Sequence, residues 1–164
     1  MRPMRRIAFA LALALAACSA PVAAPDAANT SYVIEKTSVT LANGRAEAPV
    51  APGSAAKAVT TLTQKAVGDI DGDGRDDVAV VLVHEPGGSG SFTYVAVVLN
   101  ATTGAKATNT LLIGDRVAGQ AVKLDGQTVV VTYLDRRAGE AFTVAPSVTT
   151  TKRFVVKNGT LVPA

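Results

Sequence analysis

Two neighbouring runs of almost unbroken apolar residues, Val78 to Val83 and Tyr94 to Leu99, constrain the fold of this chain most strongly. A strand with one solvated face alternates apolar and polar residues, whereas a strand that is covered on both faces is apolar along its length. The link between the runs, Glu85 to Ser91, is rich in glycine and is typical of a hairpin loop. We therefore expect the two runs to pair as central strands.

The rest of the chain has the pattern of a β protein, in which short Val/Thr-rich runs alternate with Gly, Asn and Asp. Three turn pairs, Asn43-Gly44, Asp125-Gly126 and Asn158-Gly159, tolerate positive φ and favour tight antiparallel hairpins. The prediction is a single, mostly β domain over residues 31–164, built as an antiparallel sandwich or a curved sheet. The predicted strands are Tyr32 to Thr40, Ala58 to Lys65, Val78 to His84, Phe92 to Leu99, Thr108 to Ile113, Gln120 to Leu124, Thr128 to Leu134 and Val148 to Lys157.

The beginning of the chain has the order of an export signal. Arg2, Arg5 and Arg6 form a positive start, and an apolar run of eleven residues follows from Ile7 to Ala17. A membrane-spanning helix needs about 20 apolar residues, whereas the core of a secretory signal takes about 7 to 15. Residues 1–17 are therefore predicted to be a helical signal peptide that is removed from the mature protein.

The residues that end this run, Leu15, Ala16, Ala17 and Cys18, resemble the lipobox of bacterial lipoproteins. The resemblance implies a diacylglycerol on Cys18, cleavage just before it and a mature protein held in the cell envelope by its lipid anchor. Ser19 follows the cysteine where an inner-membrane lipoprotein commonly has aspartate, which implies the periplasmic face of the outer membrane in a diderm host. The alternative is an ordinary signal peptide that is cleaved after Ala20.

Residues 18–30 are rich in Ala and Pro and carry one charge, Asp26, so they are predicted to form a disordered tether. Removal of the signal also changes the charge balance. The three arginines before the cut leave 13 of the 16 basic residues against 13 acidic ones. A chain that is close to neutral gives no support for a nucleic-acid partner.

The loop from Gly68 to Asp77 concentrates the oxygen ligands that calcium prefers. A calcium ion takes six to eight oxygens, and such a loop can also supply the main-chain carbonyl of Arg75, while Gly74 permits a sharp turn. Four carboxylates in one loop repel each other, which favours a bound cation over the alternative, a solvated turn that binds nothing. The carboxylates stand at loop positions 1, 3, 5 and 9, namely Asp69, Asp71, Asp73 and Asp77.

The same loop resembles the calcium-binding hairpin of FG-GAP and integrin α-type repeats, in which an apolar strand follows the acidic loop directly. The resemblance implies that the four aspartates bind calcium through their side chains and Arg75 through its carbonyl. An EF-hand is excluded because Val80 stands where that motif needs glutamate. The loop occurs once in this sequence, so a whole propeller is excluded as well. Beyond these motifs, the chain is similar to uncharacterised bacterial envelope proteins, which implies no activity.

Two further features invite a functional interpretation. His84, the single histidine, ends an apolar strand beside a glycine loop and lacks the partners of a catalytic base, so no catalytic residue is predicted. Two Asp-Arg groups, Asp115-Arg116 and Asp135-Arg136-Arg137, end apolar strands. They are interpreted as salt-bridged strand ends or as a polar patch that docks an envelope protein or a polysaccharide.

These features together predict a non-catalytic, lipid-anchored envelope lipoprotein with a structural calcium loop, acting as an interaction module. Two alternatives remain at this stage. One is a calcium-dependent envelope hydrolase, and the other is an inhibitor of an envelope-directed enzyme.

Overall fold

The computed structural model describes residues 22–164, and the predicted signal peptide over residues 1–17 and the lipidation site Cys18 lie outside this range. The described residues form antiparallel strands and one short 3-10 turn at Ala27–Asn29. Between residues 22 and 164, no helix is long and apolar enough to cross a bilayer. The strands are β1 (Ser31–Ile34), β2 (Thr37–Thr40), β3 (Arg45–Pro49), β4 (Lys57–Gly68), β5 (Asp77–Glu85), β6 (Phe92–Ala101), β7 (Gly104–Ala107), β8 (Leu111–Asp115), β9 (Ala118–Asp125), β10 (Thr128–Asp135), β11 (Val148–Lys157) and β12 (Thr160–Pro163).

Strands β5 and β6 are the centre of the fold. They pair antiparallel with Val78 opposite Val98 and Val83 opposite Thr93, which confirms the predicted pairing of the two apolar runs. Successive side chains of a strand point to opposite faces of its sheet, so Val80 and Val81 enter two separate hydrophobic cores. Both cores need apolar residues from these strands, which explains why the runs do not alternate.

Each core lies between the central sheet and a different partner layer. The central six-stranded sheet has the order β3-β4-β5-β6-β7, and β8 also pairs with β6. A four-stranded sheet in the order β12-β11-β10-β9 covers one face and contributes Val131, Tyr133 and Phe154 to the first core. The β1–β2 hairpin covers part of the other face with Tyr32 and Ile34. The predicted antiparallel, mostly β fold is therefore confirmed.

The structure corrects the strand prediction at its first element. Tyr32 to Thr40 is not one strand, because the chain turns at Glu35 and Lys36, whose φ angles are 48° and 73°. These residue types rarely adopt left-handed backbone, so the sequence carried no turn signal there. The short strands β3, β7 and β12 were also missed, because each has only four or five residues at the edge of a sheet.

The last part of the predicted tether is folded. The Asp26 side chain accepts a hydrogen bond from the Ala28 N–H at 3.1 Å and caps the 3-10 turn, and Ala27 is buried in the second core. The Tyr32 hydroxyl donates to the Ala27 carbonyl at 2.7 Å, inside the protein. The predicted boundary at residue 30 is therefore wrong, since packed structure begins before Asp26.

Replacing Leu82 by alanine tests the second core. Leu82 is 0% exposed, so Leu82→Ala should lower the free energy of unfolding by about 2–5 kcal/mol through lost burial and a residual cavity. Leu112 is 52% exposed, and Leu112→Ala should change the same quantity by less than about 0.5 kcal/mol. Urea unfolding measures both, and equal effects would contradict the assignment of the core.

Candidate metal centre

The acidic loop connects β4 to β5, and its ends are held by strand pairing because Gly68 lies opposite Asp77. A side chain at Gly68 would place its Cβ 2.8 Å from a Leu124 methyl group of β9, so a larger residue there would require the Leu124 side chain to move. Ile70 points from the loop into the first core and is buried. The loop is thus anchored by packing as well as by its polar groups.

Asp77 is the polar anchor of the loop. Its side chain is 0% exposed, and both of its oxygens accept main-chain hydrogen bonds. Oδ2 accepts from the N–H groups of Ile70 at 3.0 Å and Asp71 at 3.3 Å, and Oδ1 accepts from the Asn100 N–H at 2.8 Å. Main-chain donors on both oxygens offset much of the cost of burying a carboxylate. Asp77 therefore joins the acidic loop to the end of β6.

Asp69 shapes the turn itself. Its Oδ1 accepts from the N–H of Gly72 at 2.8 Å and of Asp73 at 3.1 Å, and its Oδ2 accepts from the N–H of Gly74 at 3.0 Å. Gly72 and Gly74 have φ angles of 85° and 82°, which only glycine adopts at little cost. The sequence pattern of alternating Asp and Gly thus produces a chain that wraps around one carboxylate.

Three carboxylates converge in this loop. Oxygen atoms of Asp69, Asp71 and Asp77 lie within 4.8 Å of one another, so these residues could hold a metal ion. The pKa of the Asp71 carboxyl is raised, because loss of solvent in the loop and then the negative charge of Asp77 disfavour its ionised form. A cation at the centre of the triad would reverse this electrostatic penalty.

Two of the predicted ligands, Asp73 and Arg75, contact each other through their side chains. Asp73 is not brought into the triad, because its carboxylate forms an ion pair with the Arg75 guanidinium. The same guanidinium donates from Nε to the Asn100 carbonyl, which fixes Arg75 against the end of β6. The expected ligand role of Asp73 would require its ion pair to open, while the role of the Arg75 carbonyl remains a prediction.

Asn100 is a site residue that the sequence analysis missed. Its main chain contacts Asp77 and Arg75, and its side-chain amide donates to the carbonyls of Asp76 at 3.2 Å and Ala23 at 3.0 Å. The apolar runs predicted that β5 and β6 pair but not their register. In the observed register Val78 lies opposite Val98, which places Asn100 beside the start of β5.

His84 lies near the opposite end of β5 from the metal triad. Its Nδ1 is 2.9 Å from the Thr60 hydroxyl oxygen, and these two residues are paired across β4 and β5. His84 is seven positions after Asp77 along one strand, a distance of roughly 23 Å at about 3.3 Å per residue. The single histidine and the acidic loop therefore do not share a site.

The two Asp-Arg groups meet in space. The Arg136 Nη1 donates to the Arg116 carbonyl at 3.0 Å, and the two guanidinium carbons lie 4.3 Å (Arg116) and 5.5 Å (Arg136) from the centre of the Phe142 ring. Phe142 is 58% exposed in the loop after β10. We call Arg116, Arg136 and Phe142 the arginine–phenylalanine cluster. Phe142 had no signal in the sequence, because only the fold brings its ring close to the two arginines.

The two arginines of this cluster donate hydrogen bonds to main-chain carbonyls in the neighbouring loops. Arg136 donates to the carbonyls of Val144 and Phe142, and Arg116 donates from Nε to the Ser89 carbonyl at 2.7 Å. The remaining charged groups also have partners: the Asp115 carboxylate accepts from the Ser91 N–H at 3.0 Å, Asp135 accepts from the Arg136 N–H at 2.8 Å, and Arg137 pairs with Glu140 at 3.3 Å. Asp115 and Arg116 form an ion pair at 3.7 Å, as predicted for a salt-bridged strand end, whereas Arg136 is held mainly by hydrogen bonds to main-chain carbonyls.

Comparisons of this chain with protein-family models, with curated proteins and with solved structures find no match. The functional argument therefore depends on the geometry of the chain's own residues.

Replacing Asp77 should destabilise the protein even in the presence of a chelator. Asp77→Ala removes the acceptor of three buried or partly buried N–H groups, and hydrogen bonds to a charged group contribute about 1.5–3 kcal/mol each. We expect a loss of at least about 3 kcal/mol in the free energy of unfolding, measured by urea denaturation in EDTA. The matched control is Asp76→Ala at the neighbouring exposed position, which should cost less than about 0.5 kcal/mol. A loss at Asp77 that appeared only with metal would contradict the anchoring role.

Proposed function

We propose that this protein is a non-catalytic, lipid-anchored lipoprotein of the cell envelope whose fold is stabilised by calcium in the acidic loop. The observation that carries the proposal is the convergence of Asp69, Asp71 and Asp77, with the buried Asp77 at the start of the central strand β5. A cation bound there would link the β4–β5 connection to both neighbouring strands.

The chemistry of the triad favours calcium. All three groups offer carboxylate oxygens, which suit a hard cation, and no cysteine or histidine belongs to the cluster among residues 22–164. Calcium–oxygen distances are about 2.3–2.6 Å, so oxygens on opposite sides of one ion are about 5 Å apart. The separations of up to 4.8 Å in the triad are compatible with this geometry.

The surroundings of the triad favour a structural role for the ion. Asp77 has no contact with solvent, and the main chain already holds both of its oxygens, so it is poorly suited to exchange protons with a substrate. His84 lies near the other end of β5 and cannot act as a base for this site. The rival function, a calcium-dependent hydrolase, would be supported by calcium-dependent turnover that is lost in Asp71→Asn.

An interaction role is supported by the loops at the far end of the sheet. There the arginine–phenylalanine cluster presents an exposed aromatic ring that two guanidinium groups hold in place. Aromatic and arginine side chains are enriched among the residues that carry binding energy at protein interfaces. The proposed partner is an envelope protein or a polysaccharide.

Asp71→Asn should change the stability of the protein in opposite directions with and without calcium. Calcium at ten to a hundred times its Kd should stabilise the wild-type protein by about 1.4–2.7 kcal/mol, and Asp71→Asn should remove most of this gain. In EDTA at pH 7 the same substitution should raise stability, because it removes a carboxylate whose ionised form is disfavoured in the fold. Calorimetric melting with and without calcium measures both effects.

The pH dependence of stability in EDTA tests whether the Asp71 carboxylate carries this penalty. The pKa of Asp71 is raised in the folded protein, so its penalty is absent below the unfolded value of about 3.9 and fully present above the folded pKa. The extra stability of Asp71→Asn over the wild-type protein should therefore disappear as the pH falls from above the folded pKa of Asp71 to below its unfolded value.

Asp76→Asn is the matched control for the calcium effect, and an equal response of both variants to calcium would contradict the proposed site.

Lipid attachment is tested separately by metabolic labelling. Cells that produce the full-length precursor should incorporate labelled palmitate into the wild-type protein, whereas Cys18→Ala should abolish incorporation because the thiol is the acceptor. Ser19→Ala retains the thiol and should remain labelled. A wild-type protein without label would exclude the proposed anchor.

A further inference from the structure

We propose that the acidic-loop end of the domain faces the membrane and that the arginine–phenylalanine cluster faces away from it. This inference rests on the proposed lipid anchor at Cys18. Beyond the anchor itself, the acidic-loop end of the fold would be the surface that contacts the phospholipid headgroups.

The first observation is the place where the N-terminal chain joins the domain. The Asn100 side-chain amide donates to the Ala23 carbonyl at 3.0 Å and to the Asp76 carbonyl at 3.2 Å, so Ala23 lies beside the acidic loop. Ala24 then packs against the second core, and Ala27 is buried in it. The polypeptide therefore leaves the body at the start of β5.

The second observation is the short length of chain between this point and the lipid. Cys18 precedes Ala23 by five residues, which span at most about 18 Å when fully extended. Strand β5 alone runs for nine residues, a length of roughly 30 Å at about 3.3 Å per residue. A lipid on Cys18 thus keeps the acidic-loop end close to the bilayer, whereas the other end can extend well beyond that reach.

The third observation is the apolar surface where the N-terminal chain joins the domain. Val22, which is 60% exposed, directly precedes Ala23 and can enter the interfacial layer of a bilayer. Charges of both signs are exposed near this end, namely Lys106, Lys123, Lys157, Asp71, Asp73, Asp76 and Asp125. The orientation is therefore attributed to the short tether and its lipid, and not to attraction between charges.

The arginine–phenylalanine cluster lies at the other end of the central sheet. Arg116 contacts Ser89 in the loop between β5 and β6, where β5 ends. Phe142 is held over the same region by the two arginine side chains. In the proposed orientation this exposed ring points into the aqueous compartment, where a partner can reach it.

Fluorescence quenching in vesicles tests the orientation with the full-length, lipidated protein. Lipidation consumes the thiol of Cys18, so a cysteine introduced at an exposed position becomes the single labelling site. Thr102→Cys lies in the β6–β7 turn at the acidic-loop end, and Ala138→Cys lies in the loop after β10. In vesicles of phosphatidylethanolamine and phosphatidylglycerol with nitroxide-labelled headgroups, the label at Thr102 should lose most of its fluorescence. The label at Ala138 should keep nearly all of its signal.

Equal quenching at the two positions, or stronger quenching at Ala138, would overturn the orientation. Flotation of the same vesicles separates this failure from failure of the anchor. Protein that floats but quenches equally retains the proposed anchor and loses the orientation, whereas protein that does not float loses both. A variant with about 20 Gly/Ser residues inserted after Ser19 should float and show a smaller contrast, because such a linker lets the body rotate. An unchanged contrast in this variant would refute the restraint by the short tether.

Discussion

Burial of β5 and β6 on both faces is the constraint on which the rest of the structure depends. Their alternating side chains supply both hydrophobic cores, so neither core can form without them. The four-stranded sheet and the β1–β2 hairpin each cover one face of this pair. At roughly 25 cal/mol per Å² of buried apolar surface, such shared strands contribute more than any surface charge pair in the molecule.

The candidate metal centre is a direct extension of this core. Asp77 begins the central strand β5, and Ile70 inserts from the same loop between the two sheets. Movement of the acidic loop would therefore disturb apolar packing as well as the carboxylates. Because of this coupling, an ion bound at the proposed site would influence the stability of the entire domain.

The candidate metal centre and the arginine–phenylalanine cluster lie at opposite ends of the central sheet. The strands of the central sheet separate them, and the N-terminal chain joins the body at only one of the two ends. In the proposed orientation, one end of the molecule serves for attachment to the membrane and the other for contact with partners. The same antiparallel sheet that forms the cores therefore also sets the direction in which each loop cluster points.

Much of this architecture follows from local patterns. Unbroken apolar runs predicted the central pair, and the alternation of Asp and Gly predicted a tightly turned acidic loop, because strand burial and backbone conformation depend on neighbouring residues. The turn at Glu35 and Lys36 and the folding of Ala27 could not be predicted, because local propensity opposes them and tertiary packing stabilises them. Strand register brought Asn100 to Asp77, whereas the ion pair with Arg75 holds Asp73 outside the triad. The sequence by itself determined the fold class and the acidic loop, whereas the tertiary structure decided which carboxylates converge, since contacts between distant residues arise only when the strands pair.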